Sequence, residues 1–334
     1  MKKHYNIFTL LIIALLLFSC SKSPILTIKG QTMGTWYMVK VHGVESENAG
    51  KKLQIAIDVA LTRINTSVNT YNPDSEISKF NTKADNIVFP ISDDFMRVAR
   101  VSEEIYAKSQ GAFDPTVKRL VELWGFGDNG IDIRPTEKEL KDALKHVGFG
   151  KLELKEEGLI KNDPELQLDF AAIAKGYGVD LVLEEIEALG YKNILVEIGG
   201  EVRVKGKNGR KPWCIGIAVP SDDNVGNNKA RENVELKNLA CATSGDYQQF
   251  YLEKGERFSH LIDPKTGHPI HHEVTSVSVV AENCILADAC ATAAIVLGLD
   301  KGLDFIHSME GVEAYFIYRD GDEMRTVFSP GWKK

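Results

Sequence analysis

The pattern of apolar residues along the chain changes its period at residue 169. Leu166 and Leu168 alternate with polar neighbours as they would in a strand, whereas from 172 to 189 apolar residues recur at helical spacing. Gly190 follows as a helix stop. Asp169 stands at the change, so the pattern predicts a strand, a turn and a helix that Asp169 caps.

The predicted helix contains residues that an ordinary helix does not favour. Lys175 lies about one turn from its start, and Gly176 and Gly178 come soon after. Each glycine inside a helix costs roughly 1 kcal/mol, which indicates that another group approaches closely there. A helix start beside a lysine suits a phosphate. An ordinary capped helix with a solvated lysine explains the same residues equally well.

The rest of the chain shows strand and helix patterns that do not alternate strictly. Helical periodicity is found at 53–68, 92–109, 136–148, 286–299 and 301–309, with a capping box formed by Thr136 and Glu139. Strand patterns are found at 25–41 (interrupted at 31–35), 152–154, 159–161, 194–198, 202–205, 213–219, 275–281, 314–318 and 324–328. Clustered strands with separate helices predict an α+β fold.

The N-terminus has the pattern of an export signal. Lys2 and Lys3 precede an apolar run over 7–18, which is too short to span a bilayer as a helix. The residues at 17–20 resemble a bacterial lipobox, which predicts a signal peptide at 1–19, lipidation of Cys20 and a tether over 20–24. A plain secretory signal or an N-terminal anchor helix remains the alternative, and each of these exports the body of the protein.

Composition narrows the classes of partner. The 334 residues include 40 basic and 47 acidic side chains, a net charge of −7, and no basic stripe is visible, which argues against nucleic acid. The cysteines after Cys20 form no CxxC pair and lie among apolar or small residues, so we expect buried free thiols rather than disulfides. They are Cys214, Cys241, Cys284 and Cys290.

Two positions on one predicted helix suggest a metal site. Asp288 and Thr292 are four residues apart and therefore share a helix face. A carboxylate and a hydroxyl are hard oxygen ligands of the kind that suits Mg²⁺, which takes few protein ligands. Asp169, together with Asp246 or Asp263, could converge on the same place. The alternative is a polar strip where a buried helix reaches water.

Several loops carry residues suited to a flat ligand and to acid–base chemistry. Tyr71 stands at the lip of a turn, and the segments 111–116 and 121–127 combine small residues with aromatics. Trp124 and Phe126 could instead pack in the core. His260 ends a strand pattern just before Asp263, where an imidazole could face a site. No Walker sequence, GxGxxG or zinc-ligand spacing is present.

Eight ordered motifs together resemble the ApbE family, the FAD:protein FMN transferases, over nearly the whole chain after the signal. They are MGT at 33–35, AFDPT at 112–116, ELWGFG at 122–127, LDFAAIAKGYGVD at 168–180, VEIGGEV at 196–202, ATSGDY at 242–247, SHLIDPKTG at 259–267 and ADACATA at 287–293. One departure is Cys290, at a position where the family often has an aliphatic residue. The resemblance implies a single domain at 25–334, with an α+β architecture related to the T-fold, mixed or antiparallel sheets and packed helices.

The resemblance also implies roles for individual residues. The positions that match FAD contacts are Met33, Tyr71, Ala112, Phe113, Asp114, Asp169, Lys175 and Ile262. The Mg²⁺ ligands would be the carbonyl of Ala172 and the side chains of Asp288 and Thr292, and His260 would be the catalytic base.

The implied reaction moves FMN from FAD to a Thr or Ser hydroxyl of an exported partner, such as a subunit of a membrane redox pump, and releases AMP. Family members are often lipoproteins, which implies an acyl (palmitoyl) anchor on the bacterial membrane, facing the periplasm or the outside. The chemistry of the residues agrees, because Mg²⁺ and Lys175 could neutralise phosphate charge, while His260 could activate a hydroxyl. Two alternatives stay open: an FAD pyrophosphatase that yields FMN and AMP, and a lipid-anchored flavin-binding protein without catalysis.

Overall fold

The structure is a computed structural model that describes residues 24–84, 86–126, 134–218, 230–247, 250–253 and 256–332. The predicted signal peptide, the lipidation site Cys20 and most of the tether lie outside the described residues. No helix in the described part of the chain is long and apolar enough to cross a membrane.

An eight-stranded sheet in the order β1-β2-β5-β6-β9-β12-β13-β14 forms the centre of the fold, and its strand pairings are antiparallel. Three further pairs, β3-β4, β7-β8 and β10-β11, form separate hairpins. The strands are β1 Ile25–Thr32, β2 Thr35–His42, β3 Leu152–Lys155, β4 Gly158–Lys161, β5 Ile194–Ile198, β6 Glu201–Lys205, β7 Trp213–Ala218, β8 Ala230–Leu236, β9 Ala240–Gly245, β10 Phe250–Glu253, β11 Glu256–Ser259, β12 Val274–Ala281, β13 Glu313–Asp320 and β14 Glu323–Phe328.

The described residues form eight α-helices, and the α+β prediction is confirmed. The predicted capping box of Thr136 and Glu139 is present at the start of α5, which ends at Leu144, before the predicted stop. The helices are α1 Glu47–Ser67, α2 Glu76–Thr82, α3 Asp93–Lys108, α4 Lys118–Leu123, α5 Glu137–Leu144, α6 Ala171–Ala188, α7 Cys284–Leu297 and α8 Leu299–His307.

Apolar side chains alternate across the sheet and divide the core into two layers. The larger layer packs α1, α3, α6 and α7 against one face, and includes Val39, Val196 and Val277. The smaller layer lies on the other face beneath the β7-β8 hairpin and includes Leu195 and Trp213. Helices α6 and α7 are buried on nearly all sides, so polar residues on them meet protein or a cavity rather than open solvent.

The close approach predicted at the glycines of α6 is confirmed. A Cβ on Gly176 would lie 2.4 Å from the carbonyl oxygen of Cys284 and 2.7 Å from Cβ of Asp288. A Cβ on Gly178 would lie 2.9 Å from Cε of Met33. Because the contact at Gly176 is with backbone and is too short for real atoms, only glycine at this position lets α6 lie against the start of α7.

Two local predictions are wrong. Asp169 does not cap α6, because the N-cap residue is Phe170 and the Asp169 carboxylate accepts from the Ala171 N–H (2.8 Å) in a turn just before the helix. Cys214 is a free thiol but is exposed, since its side chain points away from the smaller core layer. Of the two possibilities left open for Trp124, core packing is the one observed, because Trp124 is buried and stacked on Phe258.

Candidate functional site

One cleft of about 810 Å³ opens beside the N-terminal end of α6 and along the face of α7 that carries Asp288, Thr292 and Val296. Its walls come from the β1-β2 turn, the end of α1, the loop at 112–117 and the segment at 260–264. All twelve residues to which the sequence assigned a ligand, metal or catalytic role line it. They are Met33, Tyr71, Ala112, Phe113, Asp114, Asp169, Ala172, Lys175, His260, Ile262, Asp288 and Thr292.

The outer part of the cleft is apolar and aromatic. Tyr71 is 69% exposed at the rim, whereas Phe113 is buried in the wall. Met33 adopts a left-handed backbone conformation, with φ of 47°, at the β1-β2 turn. Such a conformation is strained for a residue other than glycine and is held by its surroundings. This part of the cleft suits a planar apolar ring.

Asp114 is a buried carboxylate in the cleft wall. One of its oxygens accepts from the N–H (2.8 Å) and the hydroxyl (2.6 Å) of Thr116. Burial raises the pKa of Asp114 to about 6, although the hydrogen bonds from Thr116 oppose the shift. The carboxyl group therefore changes its charge just below neutral pH, beside the space that a ligand would fill.

The floor of the cleft holds an ionic group that we call the Lys175 cluster, formed by Lys175, Glu201 and Asp288. The Nζ atom of Lys175 lies 2.7 Å from Oε1 of Glu201 and 3.9 Å from Oδ1 of Asp288. Both carboxylates are almost fully buried, 1% and 2% exposed. This places one cation between two buried anions at the start of α6.

Burial and charge act against each other in the Lys175 cluster. Burial raises the pKa of Glu201 to about 7, and it also raises that of Asp288, while the charge of Lys175 opposes both shifts. Burial alone would lower the pKa of Lys175, but the charges of Asp288 and Glu201 outweigh it, so the net shift is upward. The lysine is thus held as a cation, which suits an anionic ligand.

The surroundings of Asp288 fit the predicted Mg²⁺ ligands. Its Oδ2 accepts from the Gly176 N–H at 2.9 Å. In a regular helix, the Gly176 N–H would donate to the Ala172 carbonyl. Because this N–H donates to Asp288, the Ala172 carbonyl shares or loses its donor and keeps a lone pair for another partner. The Thr292 hydroxyl lies on the same face and is 3.1 Å from that of Ser244. Oxygen ligands of these three kinds suit Mg²⁺.

Clusters of the usual metal-binding side chains are absent from the described residues. None of these residues form a group of three or more His, Cys, Asp or Glu placed to hold a metal ion. The predicted set differs in kind, because it combines one carboxylate, one hydroxyl and one backbone carbonyl. Its role as a metal site stays a prediction.

His260 directly follows β11 and lines the cleft opposite α7. Its ring meets the edge of Phe126, with centroids 6.3 Å apart. The Asp263 carboxylate is hydrogen-bonded within its own turn, where it accepts from the Lys265 N–H and the Thr266 hydroxyl. Asp263 and Asp246 do not line the cleft, so of the carboxylates expected to converge only Asp169 and Asp288 do so.

Sequence reasoning assigned no role to Glu201 or Ser244. Glu201 follows the β5-β6 turn, where Gly199 and Gly200 have φ of 61° and 107°. A signal existed in the Gly-Gly-Glu sequence after a buried strand, because an acidic residue at such a place needs a partner. Its partner, Lys175, lies 26 positions earlier, and no local pattern connects the two.

Comparison with known proteins places this architecture in a family. The model of the ApbE family matches residues 33–316, which is most of the chain. The chain belongs to the ApbE family. It is 38% identical to the FAD:protein FMN transferase of Haemophilus influenzae over 343 aligned positions, covering 100% of this chain and 98% of that protein. It is also 38% identical to the FAD:protein FMN transferase of Vibrio cholerae, over 96% of this chain and 95% of that one.

Solved structures of ApbE proteins share the fold. The flavin transferase ApbE from Vibrio cholerae superposes with a TM-score of 0.83 at 36% identity, covering 92% of this chain and 98% of that one. The apo form of the flavinyl transferase ApbE from Pseudomonas stutzeri gives a TM-score of 0.84 at 33% identity, covering 94% and 97%. The family assignment made from the eight motifs is confirmed.

Proposed function

We propose that this protein is an FAD:protein FMN transferase that moves FMN from FAD to a Thr or Ser hydroxyl of a partner protein. The observation that carries the proposal is that a single cleft joins an aromatic outer part to a floor where the Lys175 cation lies beside two buried carboxylates. FAD has a flat ring system at one end and a pyrophosphate in its middle, so it needs both environments. The names of the relatives support the same activity.

In the proposed reaction, the hydroxyl oxygen of the acceptor attacks the phosphorus of the FMN half of FAD. A new P–O bond forms, the P–O–P bridge breaks, and AMP leaves with the bridging oxygen. A Thr or Ser hydroxyl is a weak nucleophile, so His260 accepts its proton as general base. Lys175 stabilises the negative charge that develops on the phosphate oxygens.

We further propose that the transfer depends on Mg²⁺, held by the Ala172 carbonyl and the side chains of Asp288 and Thr292. The bound ion would neutralise pyrophosphate charge and polarise the P–O bond that breaks. The arrangement of Asp288 against Gly176 supports this assignment, because it gives the Ala172 carbonyl a free lone pair. Tyr71 and Phe113 would stack on the isoalloxazine or adenine rings, and Asp114, Asp169, Met33 and Ile262 would position the rest of FAD.

The proposals for the cellular location and for the acceptor protein rest on the N-terminal sequence pattern and on the family. We propose that Cys20 carries the lipid anchor, that the protein faces the periplasm or the outside, and that the acceptor is an exported domain of a membrane redox pump. Two acyl signals are needed for stable anchoring. Fatty-acid labelling that persists in Cys20→Ser would contradict the anchor.

The test is to incubate the protein with FAD, Mg²⁺ and an exported domain that carries an acceptor Thr. The mass of that domain is then measured by mass spectrometry. We expect a gain of one FMN group and release of an equal amount of AMP, both abolished by a chelator. Free FMN with AMP and an unmodified domain would instead identify an FAD pyrophosphatase. Binding of FAD with neither product would identify a flavin-binding protein.

A further inference from the structure

Lys175 is shared unequally between the two carboxylates of its cluster. It forms a short ion pair with Glu201, 2.7 Å, but approaches Asp288 only to 3.9 Å. The other oxygen of Asp288 already accepts the Gly176 N–H. The oxygen nearest to Lys175 is therefore the Asp288 oxygen left for a further ligand, and an ammonium group and a metal cation would compete for it.

The position of Glu201 is fixed by the backbone around it. Glu201 begins β6 directly after the turn at Gly199 and Gly200, and its side chain is almost fully buried. A Cβ on Gly199 would lie 3.3 Å from Cδ of Lys175, so the glycine leaves room for the lysine stem to reach across the turn. The Oε2 atom of Glu201 is buried with no hydrogen-bond partner among the described residues.

A buried carboxylate with an unpartnered oxygen is unfavourable unless it has a task. Glu201 does not line the cleft, so it does not reach the ligand itself. Its one polar contact with a cleft residue is the ion pair with Lys175. The ion pair of Glu201 therefore acts on the site through the lysine, while its negative charge also acts on Asp288 directly.

We propose that Glu201 is a positioning residue that holds Lys175 away from Asp288 and so keeps the Asp288 carboxylate available to a divalent cation. This inference rests on the proposed function, since it assigns a partner to the predicted Mg²⁺ ligand. Without the negative charge of Glu201, the ammonium group pairs with Asp288, because charge-assisted bonds are the stronger ones. The cation must then displace an ion pair before it binds.

The test is a titration of the full chain with Mn²⁺ as a probe for the Mg²⁺ site, followed by electron paramagnetic resonance, without FAD. Residues that support a metal ligand from behind typically change metal affinity by about 10–100-fold. We expect Glu201→Gln to weaken Mn²⁺ binding by about tenfold or more. Lys175→Met and the double variant Glu201→Gln/Lys175→Met should both bind Mn²⁺ within about threefold of the wild type, because neither retains the competing ammonium group.

The pattern across the variants separates competition from other effects. If Glu201→Gln binds as the wild type does, or if the double variant is as weak as Glu201→Gln, the inference is wrong. The inference is also wrong if Lys175→Met strengthens Mn²⁺ binding by the same factor by which Glu201→Gln weakens it. Adding the charges around the metal site would then explain both changes without any competition for Asp288. A wild type that binds no Mn²⁺ contradicts it as well.

Control variants test whether the change in Mn²⁺ affinity is specific to Glu201. Glu184→Gln removes a paired carboxylate on the same helix as Lys175, outside the cleft, and should leave Mn²⁺ affinity unchanged. Glu201→Asp keeps the charge, serves if the Gln variant does not fold, and should lose less affinity. FMN transfer is measured separately, and Glu201→Gln should need more Mg²⁺ than the wild type for half-maximal transfer. A wild type without transfer would overturn the proposed function but not the Mn²⁺ comparison.

Discussion

Two buried aspartates join α6 to α7, and they are satisfied to very different degrees. Asp180 is 0% exposed, and its Oδ1 accepts from Arg203 (2.9 Å) and from the Cys284 N–H (2.8 Å). Its Oδ2 accepts from the Ile285 N–H at 2.9 Å. Asp180 thus satisfies two of the first N–H groups of α7 and pairs with an arginine, as a structural anion should.

Asp288 lies on α7, one turn after Cys284, and is almost as buried as Asp180. It has fewer hydrogen-bond partners than Asp180. Its Oδ2 accepts one backbone N–H from Gly176, while its Oδ1 has the ammonium group of Lys175 only at 3.9 Å. Burial raises the pKa of both aspartates, so neither burial nor the direction of the shift separates them. The number of hydrogen-bond donors separates the two aspartates. Asp288 has fewer donors, which marks it as the carboxylate with room for a ligand.

The strongest test of this contrast is the loss of Asp180. Asp180→Ala would leave Arg203 without its buried partner and two helix N–H groups without an acceptor. Breaking a buried ion pair from one side costs about 3–5 kcal/mol, and we expect a loss of that size in the free energy of unfolding. Chemical denaturation measures it. FMN transfer per folded molecule should stay near the wild-type value.

The matched control is Asp142→Ala, which removes an exposed ion pair with Lys145 and should leave the free energy of unfolding close to the wild-type value. A fall in transfer without a fall in stability for Asp180→Ala would make Asp180 part of the site and end the contrast.

The second prediction tests the acid–base side of the cleft. His260→Ala should lower the single-turnover rate of FMN transfer by on the order of 10²–10⁴, because general-base catalysis typically contributes that much. FAD affinity, measured by titration of the same variant, should change little. A histidine that only fixes its loop predicts instead a joint loss of FAD affinity and thermal stability.

His307→Ala serves as the control for His260→Ala, since His307 is exposed at the end of α8 and lies outside the cleft lining. Transfer by His260→Ala within threefold of the wild type, with normal FAD binding, would remove the base assignment.

The third prediction exchanges the charge at the less satisfied aspartate. Asp288→Asn keeps the size of the side chain but loses the negative charge that a divalent cation needs, so transfer should fall by on the order of 10²–10³. The free energy of unfolding should change by less than about 1 kcal/mol, in contrast to Asp180→Ala. Full transfer at low Mg²⁺ in the Asn variant would show that Asp288 holds no metal.

Local patterns in the sequence predicted much of this site. The four-residue spacing of Asp288 and Thr292 fixed them on one helix face, and the glycines of α6 predicted that another group approaches closely there, which at Gly176 is the start of α7. Such inferences succeed because helix geometry relates residues three or four positions apart. The α+β architecture followed from clustered strand patterns, although the boundaries of several helices shifted by one to a few residues.

Interactions between distant segments were not predictable in the same way. The ion pair of Lys175 with Glu201 joins a helix to a strand start, and two of the three donors to Asp180 come from a helix more than a hundred positions away. Asp263 was expected to turn toward the site, but its carboxylate completes hydrogen bonds within its own turn. Sequence supplies the side chains of such contacts, whereas the packing of α6 against β6 and α7 decides which of them meet.

The smallest expected effect concerns Asp114, a third buried carboxylate, whose donors from Thr116 reach only one oxygen. Its pKa is raised from 3.8 to about 6 in the folded protein, so its contribution to stability is full below pH 4 and is lost as the pH rises through 6. A shift of that size corresponds to at most about 3 kcal/mol. Asp114→Asn should therefore flatten the fall in the free energy of unfolding between pH 4 and 7, as measured by denaturation across that range, while Asp142→Asn should not. An unchanged pH profile in Asp114→Asn would mean that the pKa of Asp114 is not raised in the folded protein.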